Sequence, residues 1–277
     1  MREVGKVDVG PSCLLESEVQ EIAKNAGIPQ RGDESGMQLL HALHAHYGTR
    51  MGNEVEWLHK IEDPSLAAQL QQTAFRPMHP TNWLQHPTQW LSDADIMFVL
   101  SQYEMHLGDS RRFKFIGVFP SDFADDSTGT CVSPAMCQVD VKELVDAGIH
   151  NIAMVFNMDK HHQPGSHWVA CYIGLDPTTP LRYGAFYYDS VARPPPASIA
   201  AFMARIKAET EDDAFPVRHN TERKQFKTTE CGVYAALFVI LCLNSNLTIE
   251  QICRDVIKND DETNLLRRKL FRSPEQQ

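Results

Sequence analysis

The stretch QFKTTECGVYAALFVILCLN, residues 225–244, changes character at Cys231. The residues before it are mostly polar, whereas the run from Gly232 to Leu243 is almost wholly apolar. Twelve residues fall short of the roughly 18 that a bilayer span needs, so the run reads as a buried core helix with Cys231 in its first turn. A thiol there feels the positive end of the helix dipole, which, beside a histidine, can lower its pKa from about 8.5 to about 3.5–7.5. Gly232 leaves room for a substrate backbone to approach. The competing reading makes Cys231 a small core residue, as Cys171, Cys242 and Cys253 are within apolar patterns.

Working outward, Gln225 lies six residues before Cys231 in a polar loop, where its amide could donate to a developing oxyanion together with the Cys231 backbone N–H. His167 stands immediately before the apolar run WVACYIGL, with Trp168 beside it, and Asp189 closes the aromatic run YGAFYYDS. If these two runs are neighbouring antiparallel strands, the start of one lies beside the end of the other, and His167 meets Asp189. The link between them, DPTTPLR, is short and turn-rich, so Asp176 reads as a turn residue and not as a second acid for His167.

The remaining chain gives an α+β class. Helices punctuated by caps occupy the first hundred residues, with Asp63 and Pro64 opening one and Ser92 opening another whose apolar positions are Ile96, Val99, Leu100 and Tyr103. FKFIGVF and NIAMVF add strands to the two above, FPVRH offers a further one, and helices capped near Thr248 and rich in early acids close the chain. The expected division is a helical N-terminal region at 1–85 and a catalytic domain at 86–277.

HWVACYI, then YYDS, then QFKTTECGVY, in that order, resembles the signature of the ubiquitin-like-protein-specific cysteine proteases, which include the SUMO proteases, the adenovirus-type proteases and the virion-maturation proteases of large DNA viruses. The resemblance implies a papain-like fold of this type, with a central mixed sheet flanked by helices and a helical N-terminal extension. It implies Cys231 as nucleophile, His167 as general base and acid, Asp189 as the group orienting the imidazole, and Gln225 as oxyanion donor. QWLSDADIMFVL resembles the tryptophan-bearing segment of SUMO proteases, with Ser92 in place of an asparagine, and so implies that Trp90 and Trp168 wall a tunnel admitting a Gly-Gly end. Trp83, in NWLQ, competes with Trp90 for that role. The segment around Cys13, the TECG motif and the tail DDETNLLRRKLF look most like the virion-maturation branch. That branch implies cleavage of viral structural polyproteins after Gly-Gly, within the host cytoplasm or viral factory and inside the virion.

Composition bounds the alternatives. A net charge of −10 argues against broad affinity for nucleic acid or anionic lipid, and no cofactor or membrane partner is expected. Seven cysteines, an odd number without regular spacing, and an N-terminus lacking the apolar core of a secretory signal point to a reducing compartment. Cys131 with Cys137, or His161 with His162, match no compact zinc ligand set, and no glutamate completes a metalloprotease motif around His41 and His44. Rival functions are a SUMO or ubiquitin-like-protein deconjugase, an acyltransferase of the same fold, and an inactive protease-fold binding module.

Overall fold

The computed structural model describes residues 12, 14–30, 35–127 and 129–272; Cys13 lies outside them. The chain forms two compact units, Met1–Thr81 with Arg268–Gln277, and Asn82–Arg267. The boundary therefore falls slightly before the expected residue 85. The residues from Arg268 onward, expected in the catalytic domain, group with the helical unit instead. Backbone pairing explains that return: Met78 bridges Arg272, His79 N–H donates to the Arg272 carbonyl, and Arg272 N–H donates to that of Pro77.

In the smaller unit, α1 (Glu16–Asn25), α2 (Gly36–Tyr47) and α3 (Pro64–Thr73) enclose a core that includes Ile22, Leu40, Leu43, Trp57 and Leu70. Ser35 caps α2, and Asp63 caps α3 by accepting from the Ser65 and Leu66 amides. His44 is buried and bonded on both ring nitrogens, to Thr49 Oγ1 at 2.9 Å and Glu54 Oε1 at 3.0 Å, a polar pairing that closes the helix C-terminus into the core.

The larger unit opens with α4 (Asp93–Arg111), whose N-cap Ser92 exchanges hydrogen bonds with Asp95. A five-stranded sheet follows, in the order β1 (Phe113–Pro120), β2 (Asn151–Asn157), β3 (Trp168–Gly174), β4 (Gly184–Tyr188) and β5 (Val217–His219). The outer pairs, β1–β2 and β4–β5, are parallel, and the central pairs are antiparallel, so the sheet is mixed. Short helices α5 (Pro134–Cys137) and α6 (Val141–Asp146) lie between β1 and β2. Every residue of β3 is buried because both faces of the sheet are covered. On one face Val169, Cys171 and Ile173 pack with Ile199, Phe202 and Ile206 of α7 (Ala197–Glu209). On the other runs α8 (Cys231–Asn244), where Phe238 stacks on Tyr188 of β4 with ring centroids 4.8 Å apart. Beyond it come α9 (Ile249–Gln251), α10 (Asp260–Leu265) and α11 (Arg267–Leu270). Among the described residues, no helix is long and apolar enough to cross a membrane.

The loop after β1 departs from expectation. Cys131 and Cys137 form a disulfide, where the odd cysteine count pointed to free thiols in a reducing compartment. The bond ties the end of the loop after β1 to the end of α5, and the start of that loop carries Asp122. Their spacing of six residues is too general a pattern to announce it.

Candidate active site

The antiparallel register of β3 and β4 aligns Ala170 with Tyr188, which places the residue entering β3 beside the residue leaving β4. His167 and Asp189 meet there, with His167 Nε2 and Asp189 Oδ1 2.6 Å apart. Asp189 is buried and framed on every side. Its carboxylate also accepts from the amides of Val191 and Arg193, while Asn220 returns two bonds to its backbone, accepting from the Asp189 N–H at 2.8 Å and donating to its carbonyl at 2.7 Å. That framing leaves the acid one orientation. With Nε2 committed to Asp189, Nδ1 is the nitrogen left for Cys231, whose sulfur is close enough to the ring to act on its pKa.

Burial works to lower the His167 pKa, but the hydrogen bonds to Asp189 and Cys231, and the negative charge on each, raise it from 6.5 to about 9. At neutral pH the ring is then an imidazolium facing the sulfur. Cys231 itself opens α8 and is only 1% exposed. At the other free thiols burial is the largest influence: it raises Cys171 and Cys242 and pushes Cys253 up to about 12, as expected of structural cysteines.

Gln225 is buried, and its amide is oriented by its neighbours. Oε1 accepts from the Ser190 hydroxyl at 2.6 Å, and Nε2 donates one hydrogen to the Lys227 carbonyl at 2.9 Å, leaving its second N–H for another acceptor. Ser190 follows Asp189 directly, so one bonded path runs from His167 through Asp189 and Ser190 to Gln225. The loop between Gln225 and Cys231 is held from outside by α10: Asp260 accepts from the amides of Phe226 at 2.8 Å and Lys227 at 2.9 Å. Asn220, Ser190 and Asp260 were not singled out in the sequence. Only the two-residue separation of Asn220 from Glu222 and its position after β5 could have drawn attention to it, and polar loop residues of this kind carry no distinctive pattern.

The tryptophans divide clearly. Trp83 is buried beneath the guanidinium of Arg267, 5.0 Å from it, so it is enclosed within the fold. Trp90 is 37% exposed. Trp168 is buried, and its indole N–H donates to the carbonyl of Leu91, the neighbour of Trp90, at 2.9 Å. Trp168 and Leu91, the residue after Trp90, both lie against the first turn of α8 at Gly232. Gly232 thereby also serves packing. A Cβ at this position would lie 2.9 Å from Leu91 Cβ and 3.2 Å from Trp168 Cδ1, so the space that glycine leaves is filled by the segment bearing the tryptophans.

His161 and His162 are exposed, and His161 Nδ1 already pairs with Asp122 Oδ2 at 2.8 Å. The ligand atoms of Asp122, His161 and His162 lie within 4.8 Å of one another. Asp176 accepts from Thr178 in the β3–β4 turn and faces His150, well apart in sequence from His167.

With this geometry in place the chain can be set beside known proteins. No family model matches it. Over 196 residues it is 32% identical to "Putative thiol protease R355" of Acanthamoeba polyphaga mimivirus, an alignment covering 65% of this chain and 58% of that one. The chain thus spans less than two thirds of that relative's length. Among solved structures, the ASFV pS273R protease superposes with a TM-score of 0.62 at 18% identity, covering 98% of this chain and 94% of the other. The chain has the fold of that protease. A looser likeness, with a TM-score of 0.40 and 14% identity, links 91% of the chain to the whole of the yeast Ulp1 protease domain solved in complex with the SUMO orthologue Smt3. The neighbours are thus a thiol protease of a mimivirus by name and the ASFV pS273R protease by fold.

Proposed function

We propose that this protein is a cysteine endopeptidase that cleaves after Gly-Gly and processes viral structural polyproteins during virion maturation, within the infected cell and inside the virion. The observation that carries the reading is the pairing of His167 with the buried, framed carboxylate of Asp189 beside the first turn of α8, where Cys231 acts on the same imidazole. Arrays of this type are defined by geometry and not by sequence order.

The chemistry follows from the charges. Sulfur facing an imidazolium is held as thiolate, which attacks the glycyl carbonyl and forms the C–S bond as the carbonyl electrons move to oxygen. The free N–H of Gln225 and the Cys231 backbone N–H are the donors that receive that oxyanion in this reading. Collapse expels the amine, which takes the proton from His167 and leaves a thioester on Cys231. Water, deprotonated by the now neutral His167, attacks the thioester, and loss of the thiolate releases the carboxylate product and restores the site. The buried Trp168 and exposed Trp90, on either side of Leu91, support a narrow entrance in which residues without side chains fit best.

The test is cleavage of a peptide containing Gly-Gly-Ala by the purified chain. Cys231→Ala should abolish cleavage without altering the far-ultraviolet circular dichroism. Activity retained in that variant would overturn the nucleophile assignment. Reaction only with intact ubiquitin-like proteins would favour the deconjugase, and tight binding without turnover the binding module.

A further inference from the structure

Arg267, at the junction of α10 and α11, is only 4% exposed, yet no carboxylate lies within ion-pair distance of it among the described residues. Its Nη2 donates to the Thr229 carbonyl at 2.9 Å, and its plane lies over the Trp83 ring. Nε and Nη1 are buried with no hydrogen-bond partner. A guanidinium in that state is costly, and the cost is ordinarily met by a function nearby.

What lies nearby is the nucleophile. Thr229 is two residues before Cys231, and the residue between them is Glu230, a carboxylate only 1% exposed whose oxygens accept from the Thr229 amide and hydroxyl. A buried anion adjoining the sulfur disfavours a thiolate and opposes the helix dipole. The charged and titratable groups around this point are His167 facing Cys231 from β3, Lys227 and Tyr234 near Glu230, and Glu230, Cys231 and Asp95 of α4 near Arg267. Arg267 is the cation in that set reached through a bond to the Thr229–Glu230 segment itself.

We propose that Arg267 is a positioning residue of this site: it fixes the Thr229 carbonyl and supplies the positive charge that offsets Glu230, so that Cys231 can stand as a thiolate. The inference rests on the reading of Cys231 as nucleophile. Burial works to lower the basicity of Arg267, while the charges of Glu230, Cys231 and Asp95 sustain it, which agrees with a cation retained by its acidic surroundings. An arginine, unlike a lysine, stays charged under such desolvation.

The experiment titrates the Cys231 thiolate by its ultraviolet absorbance in the full chain, taken as the difference from the Cys231→Ser protein. It requires no peptide, so a chain that cleaves nothing still gives an answer. Arg267→Met should move the titration to higher pH and reduce the thiolate about tenfold at a fixed pH within the transition, the effect of one lost opposite charge nearby. Glu230→Gln should move it the other way, and the double variant should return toward the parent protein. In peptide assays kcat should follow the thiolate while KM changes little. An Arg267→Met profile identical to the parent, or a double variant no better than Arg267→Met, would overturn the proposal. If Arg267→Met fails to fold, Glu230→Gln alone decides: an unmoved titration rejects the charge balance.

Discussion

His167 is hydrogen bonded to Asp189 and lies under the influence of Cys231, and these two neighbours set how the site responds to pH. With its pKa raised from 6.5 to about 9, the ring stays protonated through neutrality. The folded state therefore holds this proton more tightly than the unfolded chain, so the associated stability is complete below pH 6.5 and is lost as pH rises through about 9. Denaturant titrations across that window should show the decline, and peptide cleavage should lose its alkaline limb near the same upper value. Asp189→Asn removes a group that raises the pKa, so both transitions should shift down; an unmoved limb would detach Asp189 from the imidazole. Gln225→Ala should lower kcat by about 10²–10³, or about 2.7–4 kcal/mol, with little change in KM. Ser190→Ala, which frees the amide to rotate, should cost about tenfold, the worth of one hydrogen bond. Steady-state kinetics separates these effects. Cys231, His167, Asp189 and Gln225 are legible in sequence as candidates because each is a chemically specific type at the edge of a patterned run, and of their expected meetings that of His167 with Asp189 is observed. Asn220, Ser190, Asp260 and Arg267 are not: a polar residue in a polar loop reads alike whether it frames the site or faces water, and only register and the chain's return decide.

At the scale of elements, the site depends on how α8 enters the fold. Its first turn packs so closely on Leu91 and Trp168 that Gly232→Ala must displace Leu91 Cβ, which belongs to the stem of the side chain and cannot simply rotate away. Overpacking of this kind costs about 1–3 kcal/mol, measurable as a lowered denaturation midpoint, and activity should fall with it. The loop before α8 depends equally on α10. Asp260→Ala leaves the part-buried amides of Phe226 and Lys227 without their acceptor, at about 1 kcal/mol each, and should lower kcat more than it raises KM because it releases the Gln225 loop. Unchanged kinetics in that variant would show that the loop holds itself. The antiparallel pairing of β3 with β4 was legible from the short turn between them, and α8 from its apolar run. The contact of α10 with the loop was not, since it joins residues more than thirty positions apart through a carboxylate and two backbone amides.

Across the whole molecule, the sequence pattern places helices before a sheet, and the mixed five-stranded sheet with helices on both faces follows that pattern. The division into Met1–Thr81 with Arg268–Gln277 and Asn82–Arg267 was only half visible. The early acids and late bases of DDETNLLRRKLF mark a helix there but are silent about which core the chain joins after it, and the bridge between Met78 and Arg272 that returns it has no local signature. The disulfide between Cys131 and Cys137 was missed for a similar reason, because a cysteine count speaks of compartment and not of which two sulfurs a loop brings together. All of the proposed chemistry falls within Asn82–Arg267, and its central claim is that Cys231 is the atom that attacks a glycyl carbonyl. Treating the full chain with a peptide that ends in Gly-Gly and carries a thiol-reactive electrophile at its carboxyl end, then mapping the adduct by mass spectrometry, tests that directly. A single adduct on Cys231 that disappears in His167→Ala is the predicted result; an adduct confined to another cysteine, or none on Cys231, would contradict it.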